Sequence, residues 1–221
     1  MRKRMKLCER VLPRYTRGEE IMNMVTHIAG GGMGLLVLVL CLFKTEGAVS
    51  KVGAAVYGIS MIALYAVSSI YHGLRPGTAK KVMQVLDHCT IYLLIAGTYT
   101  PILLTAFLPV YPVTCWILMG MEWGLTALAV TLTAIDLKKY NAFSMVCYIF
   151  LGWGILFFVK QALQVLTVPG FLWTLAGGIA YTLGAVLYGI GSKKPWFHSV
   201  FHIFVVLGSA LQAVAIYFYV L

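Results

Sequence analysis

Apolar residues in this chain come in blocks of about 20, not in the one-sided stripes of a water-facing helix or the alternation of a half-buried strand. At 1.5 Å of rise per residue, a block of that length crosses the roughly 30 Å of a bilayer's hydrocarbon. Seven blocks, 24–43, 52–72, 85–107, 112–133, 142–159, 171–191 and 198–220, each predict a transmembrane helix. The breaks between them carry charge or turn chemistry: Lys44 to Lys51, Arg75-Pro76-Gly77, Pro109 to Pro112, Asp136 to Asn141, Pro169-Gly170 and Lys193-Lys194-Pro195. Such short connections make consecutive helices antiparallel neighbours. The expectation is an all-α polytopic protein: a basic segment over 1–20, then one seven-helix bundle over 21–221. The first block is of full crossing length and is followed by no clear small-residue cleavage site, so it is expected to remain as a helix.

Composition agrees with the pattern. The chain is 61% hydrophobic and 11% charged, against roughly 45–50% and about 25% for a soluble domain, which excludes a soluble globular protein. The net charge of +10 would suggest nucleic acid in a soluble chain, but here its position matters more. Seven cations, Arg2, Lys3, Arg4, Lys6, Arg10, Arg14 and Arg17, precede the first apolar block without interleaved aromatics. They read as an orientation signal facing anionic lipid, with no nucleic-acid partner. Arg75, Lys80, Lys81, Lys138, Lys139, Lys193 and Lys194 fall on the same side of the seven-block topology, leaving Lys44, Lys51 and Lys160 on the other. That asymmetry puts the amino terminus in the cytoplasm and the carboxyl terminus outside, in the plasma membrane. The cysteines, Cys8, Cys41, Cys89, Cys115 and Cys147, show no paired spacing and read as small apolar residues without disulfides.

Ionisable groups inside a bilayer are costly, so each is a candidate for function. His27 opens the first block, Ser68 and His72 close the second, Asp87 and His88 open the third, and His198 and His202 open the seventh. In the assigned topology all lie at one cytoplasmic depth. His198 and His202, four apart, share a helix face, and His72 adds a third imidazole from another helix. Three histidines with an open position form the arrangement of catalytic zinc. Ser68 shares the face of His72 and either bonds a neighbouring carbonyl or orients a ligand. Asp87 either marks a helix amino terminus or holds and deprotonates a water. His88 points about 100° away and suits hydrogen bonding. Glu20, Asn23 and His27 form one polar face leading into the first helix, either an amphipathic entry or a wall of the same cavity with His27 behind the ligands. Glu122 sits in mid-span of the fourth block and is expected to pair with a backbone or hydroxyl group. Gly30-Gly31-Gly32 and Gly177-Gly178 suit close helix approach, having no phosphate-binding context.

Four stretches carry a resemblance: Glu20-Ile-Met-Asn23-Met-Val-Thr26-His27, Ser68-Ser-Ile-Tyr-His72, Asp87 through Pro101, and His198-Ser-Val-Phe-His202. Over nearly its whole length the chain resembles the hemolysin III branch of the progestin and adiponectin receptor family, and its polar residues are similar to those of alkaline ceramidases. The resemblance implies seven helices, an inside amino terminus and Zn2+ near the cytoplasmic face, with His72, His198 and His202 as ligands, Asp87 holding water and Ser68 as the helix-two serine. It also implies cleavage of an amide in a sphingolipid-like molecule. The short tail and the lack of an extracellular ligand-binding extension depart from the receptor branch.

The leading expectation is thus a zinc-dependent hydrolase acting within the membrane on an amide- or ester-linked lipid, with Asp87 taking a proton from water. The alternatives are a non-enzymatic membrane sensor or homeostasis protein in which zinc staples helices two and seven, and the pore or cytolysin suggested by the branch name. The chain lacks the charged rings or polar stripe expected of a wide pore.

Overall fold

The computed structural model describes residues 7, 10–191 and 194–221; Arg2, Lys3, Arg4, Lys6, Cys8 and Lys193, discussed above, lie outside them. The described residues are helical almost throughout: α1 (Arg17–Lys44), α2 (Ala48–Gly73), α3 (Thr78–Pro101), α4 (Pro112–Ile135), α5 (Asn141–Gly152), α6 (Val159–Gly191) and α7 (Phe197–Tyr219). Among them, six stretches are long and apolar enough to cross a membrane. One, Asn141–Ile190, is 50 residues long and contains both the fifth and the sixth expected crossings.

The interruptions in that stretch set its shape. α5 stops at Gly152, five residues of 3₁₀ helix (Gly154–Phe158) follow, and α6 is itself broken at Thr167, whose φ of 61° lies outside helical space. The expected helix over 142–159 is therefore corrected to a shorter α-helix, a tighter turn and the start of α6. At the break Pro169 supplies no N–H. The Trp153 indole N–H donates to Thr182 Oγ1 at 3.0 Å, although 29 residues of continuous helix would hold them about 43 Å apart. The chain thus folds back at Thr167.

Helix starts also differ from expectation. α1 begins at Arg17, not near 24, because Thr16 and Glu19 form a capping box: Thr16 Oγ1 accepts the Glu19 N–H at 3.2 Å and Glu19 Oε2 accepts the Thr16 N–H at 2.8 Å. α3 begins at Thr78, not 85, so Lys80 and Lys81 are helical residues. After Pro101 this helix continues as a wider π-helical turn, Ile102–Phe107, a common response to a proline that leaves a helical carbonyl without its donor.

Consecutive helices α1, α2 and α3 pack in order, α6 packs on α7, and α7 returns to α1. Close approach depends on glycine at several contacts, among them one between α1 and α2 and one between α6 and α7. A methyl on Gly30 would stand 2.6 Å from the Tyr65 ring, and one on Gly177 would stand 2.4 Å from Gln212 Cγ. At one end of the bundle the segment before α1, the end of α2 and the starts of α3 and α7 come together. At the other end Lys44 Nζ donates to the Tyr217 carbonyl.

Candidate metal centre and cavity

Glu19 is the first organising residue. Besides closing the cap of α1, its Oε1 accepts the backbone N–H of Trp196 at 2.7 Å. Trp196 holds a left-handed conformation, φ 67°, immediately before α7. Its anchoring therefore sets where α7 enters, and with it His198 and His202, relative to α1.

One residue further on, Glu20 links three helices. Its Oε2 lies 2.7 Å from His72 Nδ1 on α2, and its Oε1 lies 2.6 Å from Lys80 Nζ on α3. A carboxylate only accepts, so Nδ1 of His72 carries the proton and Nε2 presents its lone pair. Lys80 is nearly fully buried; it also donates to the carbonyls of His72 (3.4 Å) and Leu74 (3.0 Å), closing the end of α2, and lies over the Tyr71 ring. Lys80 was counted above as a loop cation. The spacing Lys80, Gln84, Asp87 was the signal for one polar face on α3, hidden by placing the helix start too late.

His72, His198 and His202 are all buried, and each offers a ring nitrogen within 4.8 Å of the others. The Nε2 atoms of His198 and His202 are 3.0 Å apart. Two imidazoles on a tetrahedral zinc, at 2.0–2.1 Å each, would place their nitrogens about 3.4 Å apart, between these two distances. His72 Nε2, Ser68 Oγ, Asn23 Oδ1 and both ring nitrogens of His27 are buried without a hydrogen-bond partner. Each such atom costs about 1–3 kcal/mol if nothing satisfies it, and their convergence in one layer fits a metal site with attendant water. The His72 cluster can hold a metal ion.

The remaining candidates surround this cluster. The His27 ring lies 3.9 Å from that of His202, centroid to centroid, and edge-on to Tyr65. Asn23 Nδ2 is 3.4 Å from His72 Nδ1. Asp87 is not one of the three converging ligands; it lines the cavity with Ser68, His198 and His202. His88 Nδ1 meets the Gln84 carbonyl at 2.8 Å and its Nε2 meets the Tyr188 hydroxyl at 3.3 Å, a hydrogen-bonding role. Tyr15, which the sequence reading passed over within the basic segment, stacks on His198 with ring centroids 4.7 Å apart. Burial, then the nearby Tyr71, Tyr188, Glu20 and Asp87, hold its phenol well above the ordinary value, so it covers the site as a neutral hydroxyl.

From this layer a cavity runs into the bundle as far as Trp153 and Gln212. Gln212 lies ten residues along α7 from His202, about 15 Å of helix. Leu64, Ile91, Leu94, Ile95 and Val205 give the cavity apolar walls. A polar, metal-capable end joined to an apolar channel can receive a molecule with a polar group and a hydrocarbon tail.

A family model described as "Haemolysin-III related" matches residues 15–213. "Hemolysin-3" of Bacillus cereus is 36% identical over 206 residues, covering 92% of each chain. "Hemolysin-3 homolog" of Bacillus subtilis (strain 168) is 33% identical over 208 residues, 93% of this chain and 96% of the relative. The human "Monocyte to macrophage differentiation factor" is 25% identical over 177 residues, 76% of this chain and 71% of that one. With the six apolar helices, these likenesses indicate a multi-pass protein of the cell membrane.

Proposed function

The chain belongs to the haemolysin-III-related family, and we propose that it is a zinc-dependent hydrolase working within the cell membrane on an amide- or ester-linked lipid. The observation that carries this reading is the count of ligands: three imidazoles converge while the carboxylate of Asp87 stays on the cavity wall. A structural zinc is normally closed by four protein ligands, whereas a catalytic one keeps a position open.

His72, His198 and His202 would hold the ion, and Glu20 fixes the orientation of His72 through Nδ1. Zinc, when bound, would supply Lewis-acid polarisation of the lipid carbonyl and make water a better acid. Asp87 accepts the proton of the attacking water and returns it to the leaving amine or alcohol. Ser68, beside Asp87 on the cavity wall, orients the carbonyl or the water. The apolar channel toward Trp153 takes the hydrocarbon part, and Tyr15 limits access of bulk water. Seven crossings with the amino terminus in the cytoplasm complete the proposal; the reversal at Thr167 and the cation distribution support them.

The test compares zinc-loaded wild type with Asp87→Ala on a panel of amide and ester lipids. The expected result is turnover by wild type and a loss of about 10²–10⁴-fold in the variant, with zinc retained in both. Equal turnover would remove Asp87 from the chemistry. Full zinc loading without any turnover would favour the sensor reading, in which the ion staples α2 to α7.

A further inference from the structure

Glu122 lies outside the histidine layer, midway along α4 and completely buried, and neither carboxylate oxygen has a hydrogen-bond partner. An ionisable side chain in the bundle interior marks an ion or proton site by default. The expected pairing with a hydroxyl or backbone group is not found. The hydroxyl beside it, Tyr99 Oη, donates to the Gly152 carbonyl at 3.2 Å and accepts the Ile155 N–H at 3.0 Å. The adjacent Trp123 indole donates to Thr100 Oγ1, and Thr126 donates to the Tyr92 carbonyl.

What Glu122 faces is the interruption between α5 and the 3₁₀ turn. A methyl on Gly154 would stand 2.8 Å from Met121 Cε, 3.0 Å from Glu122 Oε1 and 3.7 Å from Tyr99 Oη. The bare backbone of this glycine thus lets a carboxylate oxygen of α4 and the hydroxyl of α3, itself bonded to the Gly152 carbonyl, approach one spot beside the flexible Met121 methyl. Among the described residues neither form of the carboxyl is satisfied there: the carboxylate has no donor and no cation, and the acid would have no acceptor for its O–H. The missing partner therefore comes from outside the chain. The donors on offer are all oxygens, which select a hard cation, and the single carboxylate matches a single positive charge. Broken membrane helices use freed carbonyls in this way. Tyr99 and Gly152 also line the long cavity, which gives an entry path.

We propose that Glu122, with the Tyr99 hydroxyl and the backbone at Gly152–Gly154, forms an exchangeable site for a sodium ion. The site is separate from the histidine cluster and does not depend on the hydrolase reading.

Dicyclohexylcarbodiimide provides the test, because it adds to the protonated form of a carboxyl in apolar surroundings to give a stable N-acylurea. Full-length protein in detergent is treated in sodium chloride or choline chloride over a range of pH, and the adduct at Glu122 is read by peptide mass spectrometry. Sodium as occupant would suppress labelling that choline leaves intact; labelling that falls with rising pH equally in both salts marks an ordinary titrating carboxyl and would overturn the proposal. Glu122→Gln removes the adduct. Gly154→Ala, whose methyl enters the spot, removes its dependence on sodium, with elution profile and melting temperature reporting that the fold is kept. Labelling that is absent throughout, or indifferent to sodium in wild type, would overturn the proposal.

Discussion

Lys80 shows how one side chain supports the site without entering it. Its ammonium binds Glu20 and two carbonyls at the end of α2, and Glu20 in turn holds His72. Lys80→Met leaves Glu20 bound to His72 alone; a loss of about 1–3 kcal/mol in unfolding free energy is expected, below the usual cost of breaking a buried pair because Glu20 keeps some exposure. Glu20→Gln weakens the charge-assisted bond to Nδ1, and metal titration should find affinity lower by about 10–100-fold. The histidines were legible in the sequence because helical spacing and membrane depth are both readable there. Lys80 was not, since a charged residue near a proline-glycine turn looks like a loop residue until its carboxylate partner on another helix is known. Tyr15 was missed for a similar reason: nothing local to the basic segment says that it stacks on His198.

At the scale of the helix, the capping box does more than start α1. Because Glu19 also receives the Trp196 N–H, the same carboxylate couples the start of α1 to the entry of α7. Thr16→Ala should cost about 1 kcal/mol, measured as a lower melting temperature. The apolar blocks announced most helices, as expected when hydrocarbon thickness fixes their length. The breaks were less legible. Pro169-Gly170 signalled the reversal at Thr167, but Gly152-Trp153-Gly154 looked like three more residues of apolar helix. Its interruption depends on Tyr99 of α3, which accepts the Ile155 N–H that a continuous α-helix would have used, a contact no local pattern contains.

The whole molecule is a bundle in which α7 returns to α1, so its first and last helices meet at the histidine layer. Seven crossings would put the two termini on opposite membrane faces; six would put them on the same face. Single cysteines placed at Arg14, Gly77 and Lys139 of a cysteine-free protein should react with an impermeant thiol reagent only from the cytoplasm. Those at Glu46, Val168 and Leu221 should react only from outside. Protection of Val168→Cys from the outer face, or reaction of Leu221→Cys from the inner one, would contradict the reversal as a membrane turn. The cation asymmetry is the ground on which this orientation is expected.

Whether three imidazoles from α2 and α7 hold one metal ion is read directly by elemental mass spectrometry of the detergent-purified protein. Wild type is expected to carry about one zinc per chain, the single ion a three-histidine site takes, and both His72→Ala and His198→Ala to lose it while remaining folded. Metal-free wild type that is monodisperse and stays metal-free after exposure to zinc, or variants that keep the wild-type content, would contradict that site.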